Sequence, residues 1–315
     1  MQLKEIIVEN LFNAFDHHIR LNEKLTIMIG ENGYGKTTLL NMLRAVAEWN
    51  YVYFHSIIFT KFQLIFDNQT ITVEKKDNNI FLNGNKIIVG NAYENEMLIT
   101  IKNNYVGVEI SPEISLYDLI LNNELGNAQR YIRTYNRRIV REYRIKHDLV
   151  NLDTTLLIGT KRIDMYAPLR YLNKFEKEKF YEHEKNKSEF FANLLNNYFL
   201  NKKIEIENNK LIIYSKITNK QIPIMALSSG EQHIFVLFYL LLFITEKNTF
   251  VLFDEPETSL HITWQNRFID DLLEILGTNE TLNVLVATHS PDLIAHHWNL
   301  TVELSEAKNY EQTTK

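Results

Sequence analysis

The segment Gly30-Glu31-Asn32-Gly33-Tyr34-Gly35-Lys36-Thr37-Thr38 joins two hydrophobic patterns of different period. Before it, Lys24-Leu25-Thr26-Ile27-Met28-Ile29 is a short β-branched run; after it, Lys36 to Trp49 carries helical spacing. Strand, glycine loop and helix in that order is the setting a phosphate-binding loop requires. Gly30, Gly33 and Gly35 let backbone N–H groups turn toward phosphate oxygens, and the helix start favours negative charge. Lys36 would reach the β and γ phosphates of ATP, and the Thr37 hydroxyl could hold Mg²⁺. Asn32 and Thr38 complete the expected nucleotide cradle.

Three later stretches give the loop its meaning. Phe250-Val251-Leu252-Phe253 is an apolar run ending in Asp254-Glu255, which places two carboxylates at the end of a buried strand. Asp254 would support Mg²⁺ and Glu255 would polarise the attacking water. His289 follows another apolar run, where an imidazole could hydrogen-bond the γ-phosphate and sense its loss. Leu227-Ser228-Ser229-Gly230-Glu231-Gln232 precedes the eleven-residue apolar run Ile234 to Ile244. Its plain reading is a helix N-cap with an acid in the first turn. A helix start with two hydroxyls and a glycine is also an anion site. Since the glycine loop already supplies the contacts in cis, Ser228, Ser229 and Gly230 suit a γ-phosphate held by a second copy of the chain.

Composition sets the bounds. At 315 residues and 45% hydrophobic content the chain can bury one large α/β domain, or one domain carrying an insert. It has no cysteine, which excludes disulfides and thiolate metal sites and fits a reducing compartment. The N-terminal residues show no basic-then-apolar leader, and eleven apolar residues fall short of the about 20 that span a bilayer. A cytoplasmic protein with no membrane contact is expected. A net charge of -5 argues against general affinity for nucleic acid, though not against a local basic patch.

Such a patch is present. Arg130, Arg133, Arg137, Arg141 and Arg144 fall within about 80° of arc on a helix, and residues 130–147 hold seven Arg or Lys against one Glu. A solvated face is one reading; recognition of nucleic acid or an acidic partner protein is the other.

The expected organisation is an N-terminal ATPase lobe over 1–110, a mostly helical insert over 111–202, and a C-terminal lobe over 203–315. The first lobe contains an antiparallel β subdomain with strands at Ile57-Ile58-Phe59 and Phe62–Phe66 and a type I′ hairpin at Asn83-Gly84. The last opens with strands at 203–207 and 211–214 around Asn208-Asn209, and has a helix near 264–276. Adjacent histidines do not point the same way on regular structure, so His17-His18 and His296-His297 are not expected to hold metal. Asp270, Asp271 and Glu274 read as the wet face of the 264–276 helix.

The four stretches in this order resemble the ABC-type ATPases, in the soluble branch of the chromosome-maintenance, RecF and overcoming-lysogenization-defect proteins. Leu227 to His233, Asp254-Glu-Pro-Glu-Thr-Ser-Leu-His261, Ala287-Thr-His-Ser-Pro291 and Leu11-Phe12-x-x-Phe15-Asp16-His17 are further similar to the antiphage ATPases of Septu and retron systems. The resemblance implies an α/β ABC-type head that binds ATP and Mg²⁺, hydrolyses ATP and works as a dimer with nucleotide sandwiched between subunits. It implies Lys36 and Thr37 as the Walker A pair, Asp254 and Glu255 as Walker B, Ser228 and Gly230 as a signature acting in trans, Ser259 to His261 as the D-loop, and His289 as the switch. It also implies a separate effector, nuclease or toxin, gated by the ATPase; 26 residues follow His289, too few for a nuclease domain. A transporter ATPase subunit, or the ATPase part of a repair or nuclease complex, is the alternative. Ser229, Glu231 and Ser259-Leu260-His261 depart from the transporter pattern, and Tyr34 is bulky for the loop. Neither Gln63 nor Gln129 can be assigned as the Q-loop glutamine.

Overall fold

The computed structural model describes residues 2–47, 52–67, 69–77, 79–87, 155–159, 185–245, 250–278 and 283–304. The arginine stripe at Arg130, Arg133, Arg137, Arg141 and Arg144 lies outside them.

The elements that carry the site belong to a five-stranded parallel sheet. β3 (Leu25–Ile29), β8 (Thr155–Gly159), β12 (Phe250–Asp254), β13 (Asn283–Thr288) and β14 (Thr301–Glu303) lie in the order β14-β3-β13-β12-β8. Every pairing is parallel. Such a sheet is buried on both faces, so its strands read as unbroken apolar runs. Alternate side chains go to two different cores. Leu25, Ile27, Val251, Phe253, Val284 and Val286 enter one hydrophobic cluster; Met28, Leu252, Leu285 and Ala287 enter the other.

The first cluster is covered by three helices, α3 (Lys185–Tyr198), α4 (Ser229–Tyr239) and α5 (Ile262–Thr278). It also takes in a small antiparallel sheet of β9 (Lys202–Glu207), β10 (Lys210–Ser215) and β11 (Gln221–Ile222). Asn208 and Asn209, both at positive φ, form the β9–β10 turn as expected. Helix α4 runs on into a π-helical turn over Leu240–Ile244, closed by Thr245, whose N–H and hydroxyl both donate to the Leu240 carbonyl.

The second cluster lies between the parallel sheet, α1 (Lys36–Ala47) and a six-stranded antiparallel sheet ordered β2-β1-β4-β5-β6-β7. Its strands are β1 (Leu3–Leu11), β2 (Phe15–Arg20), β4 (Lys61–Phe66), β5 (Thr70–Lys76), β6 (Asn79–Leu82) and β7 (Asn85–Ile87). This is the antiparallel β subdomain expected from the sequence, with Asn83 and Gly84 at positive φ in the β6–β7 hairpin.

Several expectations need correcting. Ile57-Ile58-Phe59 is a connection, preceded by a single helical turn, α2 (Val52–His55). Phe54, Ile57 and Phe59 sink into the second core without strand pairing, and Phe54 packs on Phe59 and Phe62 at 5.5 and 6.1 Å. The carbonyls left at the end of this turn are met by the Lys75 ammonium, which donates to Phe54, His55 and Ile57. That contact comes from a distant strand, so local sequence could not show it. Two parts of the stretch assigned to a helical insert, 155–159 and 185–198, belong to the core: β8 pairs with β12, and Phe191, Leu194, Leu195 and Tyr198 of α3 are buried.

Asp271 is not on a wet face either. It is 2% exposed, held by both a bidentate Arg267 (2.9 and 3.0 Å) and the Tyr198 hydroxyl, while Arg267 lies over the Tyr198 ring at 5.2 Å. Burial and the Asp271 charge push the Tyr198 pKa far above its ordinary value. A carboxylate enters a core only with such partners.

Candidate active site

β3 delivers the chain to the glycine loop at the carboxyl ends of the parallel strands, and α1 begins at Lys36. Gly33 and Gly35 hold φ of 92° and 89°, in the left-handed region that side chains resist. At Gly35 space decides as well, because a Cβ would stand 2.6 Å from Leu11 Cδ2 at the end of β1. Lys36 is 5% exposed and donates to the carbonyls of Gly30 (2.6 Å) and Glu31 (3.1 Å). Burial lowers its pKa, opposed by the negative charges of Glu255, Glu257 and Asp254.

The bulk of Tyr34 is accommodated outside the loop, where its ring leans on Phe15 at 5.2 Å. Its carbonyl oxygen lies 2.9 Å from His17 Nε2, which makes that nitrogen the protonated one, since a carbonyl only accepts. Burial lowers the His17 pKa, so the ring is held neutral beneath the loop. β2, which carries His17, was not foreseen as a strand.

β12 brings Asp254 beside α1, where Thr37 Oγ1 donates to Asp254 Oδ1 at 3.0 Å. Burial, then the charges of Glu255 and Glu257, raise the Asp254 pKa against the opposing Thr37 and Lys36. Glu255 follows at φ 48°, ψ 55°, a left-handed conformation costing about 1–2 kcal/mol outside glycine. Its N–H donates to the Ala287 carbonyl at 2.8 Å, which ties the strained residue to the end of β13.

His289 leaves β13 with Nδ1 3.5 Å from Glu255 Oε1 and 3.3 Å from Glu257 Oε1. Sequence reasoning gave Glu257 no role. It is 6% exposed, accepts from Thr288 Oγ1 (2.7 Å) and from the His289 N–H (3.2 Å), and its Oε2 has no hydrogen-bond partner among the described residues. The signal was the third acid of Asp254-Glu-Pro-Glu, which spacing alone could not distinguish from a surface residue.

A cleft of about 230 Å³ opens at this end of the sheet, lined by Asn32, Gly33, Gly35, Lys36, Thr37, Thr38 and Glu255, with Phe12 at its side. Most of the expected phosphate cradle and the expected base therefore meet in one place, with Asp254 joined through Thr37 and His289 through Glu255. Phe12, 41% exposed, was not foreseen as a pocket residue. Gln63 is engaged on the antiparallel sheet, donating to Thr72 Oγ1.

Ser228, Ser229 and Gly230 do not line this cleft. They begin α4 in a capping box: the Ser228 hydroxyl accepts from Glu231 N–H, and Ser228 N–H donates to Glu231 Oε2 at 2.7 Å. Lys202 Nζ grips both Glu231 oxygens at 2.6 and 2.7 Å. Burial favours a neutral Glu231, but Lys202 and Ser228 outweigh it and hold the carboxyl below its ordinary range. Both serines are exposed.

The model of the AAA ATPase domain family matches residues 169–294, which run from before α3 through His289 and leave out the glycine loop. The chain is an ATPase. Among solved structures, the ATPase is similar in fold to an SMC head domain from Thermotoga maritima, at 16% identity and a TM-score of 0.50, covering 93% of this chain and 91% of that one. It is similar to the same degree, TM-score 0.50 at 13% identity, to an SMC head bound to the C-terminal winged-helix domain of ScpA, covering 94% and 92%. The search of curated proteins finds no match in sequence. The fold is accordingly the α/β head expected from the sequence, with its antiparallel β subdomain. Among the described residues no helix is long and apolar enough to cross a membrane.

Proposed function

We propose that the ATPase closes head to tail as a dimer around two ATP molecules and uses closure to gate an effector protein or nucleic acid, in bacterial antiphage defence. The observation that carries this is the division of anion-binding surface. One cleft holds Lys36, Thr37 and Glu255, while the exposed α4 start, with Ser228, Ser229 and Gly230, is fixed by Lys202 and lines no part of that cleft. A second subunit would bring the two together. The likeness to SMC heads supports this reading, and one of those structures is bound to a partner protein's domain. The defence setting rests on the similarity of the motifs around Ser228, Asp254 and His289 to those of the antiphage ATPases.

Within each site Lys36 and the loop N–H groups would neutralise phosphate charge. Glu255 would hold the attacking water and take its proton, and His289 would hydrogen-bond the γ-phosphate. The donor set fits Mg²⁺: the Thr37 hydroxyl and Asp254 carboxylate converge, both hard oxygen donors, and Asp254 is destabilised as an anion by burial and acidic neighbours. Bound there, the ion would supply charge neutralisation to the phosphates.

The test is association and turnover. Glu255→Gln should stop hydrolysis and accumulate an ATP-dependent dimer by light scattering, and Ser228→Arg should abolish both dimer and turnover. Undiminished hydrolysis in either variant would sink the mechanism. Reversing Arg133, Arg137 and Arg141 to Glu should weaken effector or nucleic-acid binding while hydrolysis survives.

A further inference from the structure

Away from the nucleotide cleft, the chain after α6 (Pro291–Ile294) turns two adjacent imidazoles onto one carboxylate. On regular structure neighbouring side chains diverge, and His17 and His18 do so, His17 going to Tyr34 and His18 to Glu5. His296 and His297 behave differently, against expectation. Ala295 ends α6 at φ 50°, ψ −111°, and the His297 N–H returns to the Ile294 carbonyl at 2.9 Å. This tight reversal lays the two rings over each other, centroids 4.0 Å apart. Both Nε2 atoms then face Oδ1 of Asp270 on α5, at 3.4 Å from His296 and 2.9 Å from His297.

We infer that Asp270, His296 and His297 form a binding site for a divalent transition ion of the zinc class. The three ligand atoms lie within 4.8 Å of one another. Ligands about 2.0–2.1 Å from a tetrahedral zinc stand about 3.3 Å apart, so His296 already has the spacing and His297 needs to open by a few tenths of an ångström. Two imidazoles with one carboxylate suit zinc, cobalt or nickel rather than Mg²⁺, which takes oxygen. The deep ring is anchored, its side chain 10% exposed, while the His296 side chain is 71% exposed and free to adjust. Three protein ligands on an open rim leave a fourth position for water. An ion there would staple α5 to the segment after α6, whose N-cap Ser290 directly follows His289.

Tag-free, nucleotide-free protein is dialysed against Zn²⁺ and analysed for bound metal, and Co²⁺ is added separately to read its visible d–d absorption. About one equivalent at micromolar Zn²⁺ is expected, with a tetrahedral-type Co²⁺ spectrum and a raised melting temperature. His296→Ala, at an exposed position that leaves the fold intact, and Asp270→Asn should each weaken binding by tenfold or more and lose both the spectrum and the thermal shift. Unchanged binding in His296→Ala would place the ion elsewhere, such as at the carboxylates by the glycine loop. Absence of binding to the unmodified protein would leave these residues a hydrogen-bonded clamp. Either result overturns the assignment.

Discussion

Replacing Glu257 by Ala removes the acceptor that the Thr288 hydroxyl and the His289 N–H find on the loop after β12. Two donors lose their acceptor. Thr288 is fully buried, so its hydroxyl would be left unsatisfied at a cost of about 1–3 kcal/mol; the half-buried His289 N–H can find water and costs less. Against this, the substitution relieves a buried carboxylate whose Oε2 has no partner among the described residues, worth about 1–2 kcal/mol. Taken at their midpoints these leave a net loss of about 0.5–1 kcal/mol, or roughly two- to fivefold in the population of the ordered turn. If His289 acts from that turn, kcat for ATP hydrolysis falls by a similar factor, while KM for ATP, set by the glycine loop, stays within about twofold. Glu257→Gln keeps an acceptor oxygen and should restore most of kcat. The decisive measurement is a double-mutant cycle with His289→Ala: the double variant should be no slower than His289→Ala alone. Losses that multiply would show that Glu257 acts independently of His289, and the coupling would be wrong.

Asp271→Ala should lower stability by about 2–3 kcal/mol in urea unfolding, because the buried Tyr198 hydroxyl loses its acceptor and the partly exposed Arg267 its ion partner; a loss under about 1 kcal/mol would contradict the network. Gly35→Ala should abolish ATP binding in a fluorescent-nucleotide titration, since its Cβ meets Leu11 and its φ is left-handed, and near-normal affinity would reject the assigned loop geometry. Phe12→Ala should raise KM for ATP severalfold with kcat little changed, checked by steady-state kinetics. His17 and His233 both have pKa values lowered by burial, so the unfolded chain binds more protons than the folded one just below the ordinary histidine pKa of 6.5. Stability should therefore fall as pH drops from about 6.5. His17→Gln should flatten that decline in urea midpoints measured between pH 7 and 5, and an equally steep decline would remove His17 as a cause.

The parts of the fold that sequence revealed are those with a single physical demand. Val251-Leu252-Phe253 and the run before His289 are apolar throughout because both faces of the parallel sheet are covered, and this marks them as strands ending in chemistry. Asn208-Asn209 and Asn83-Gly84 signal their turns because positive φ restricts composition. Where two demands compete, the pattern misleads. β2 carries two histidines, one packed under the glycine loop and one facing Glu5, so its alternation is polar and was passed over. Asp271 and Glu257 looked like surface acids because their partners, Tyr198 and Thr288, arrive from elsewhere in the chain. The convergence of His296 and His297 depends on one backbone angle at Ala295, a residue whose type gives no warning of it.

The position of β3 between β13 and β14 fixes when the molecule can work during its own synthesis. The seven-strand region over residues 3–87 includes a six-stranded sheet whose pairings all lie within those residues and can close early. The strand leading into the glycine loop gains its neighbours only from residues 283–288 and 301–303, some of the most distant contacts the chain makes. A nascent chain thus has an ordered first sheet and an unsupported nucleotide loop until residues 283–303 have been made, and such non-local parallel pairing is slow. ATP cannot act as a folding ligand until β14 has emerged, so products terminated before residue 301 should neither hold nucleotide nor compete for it.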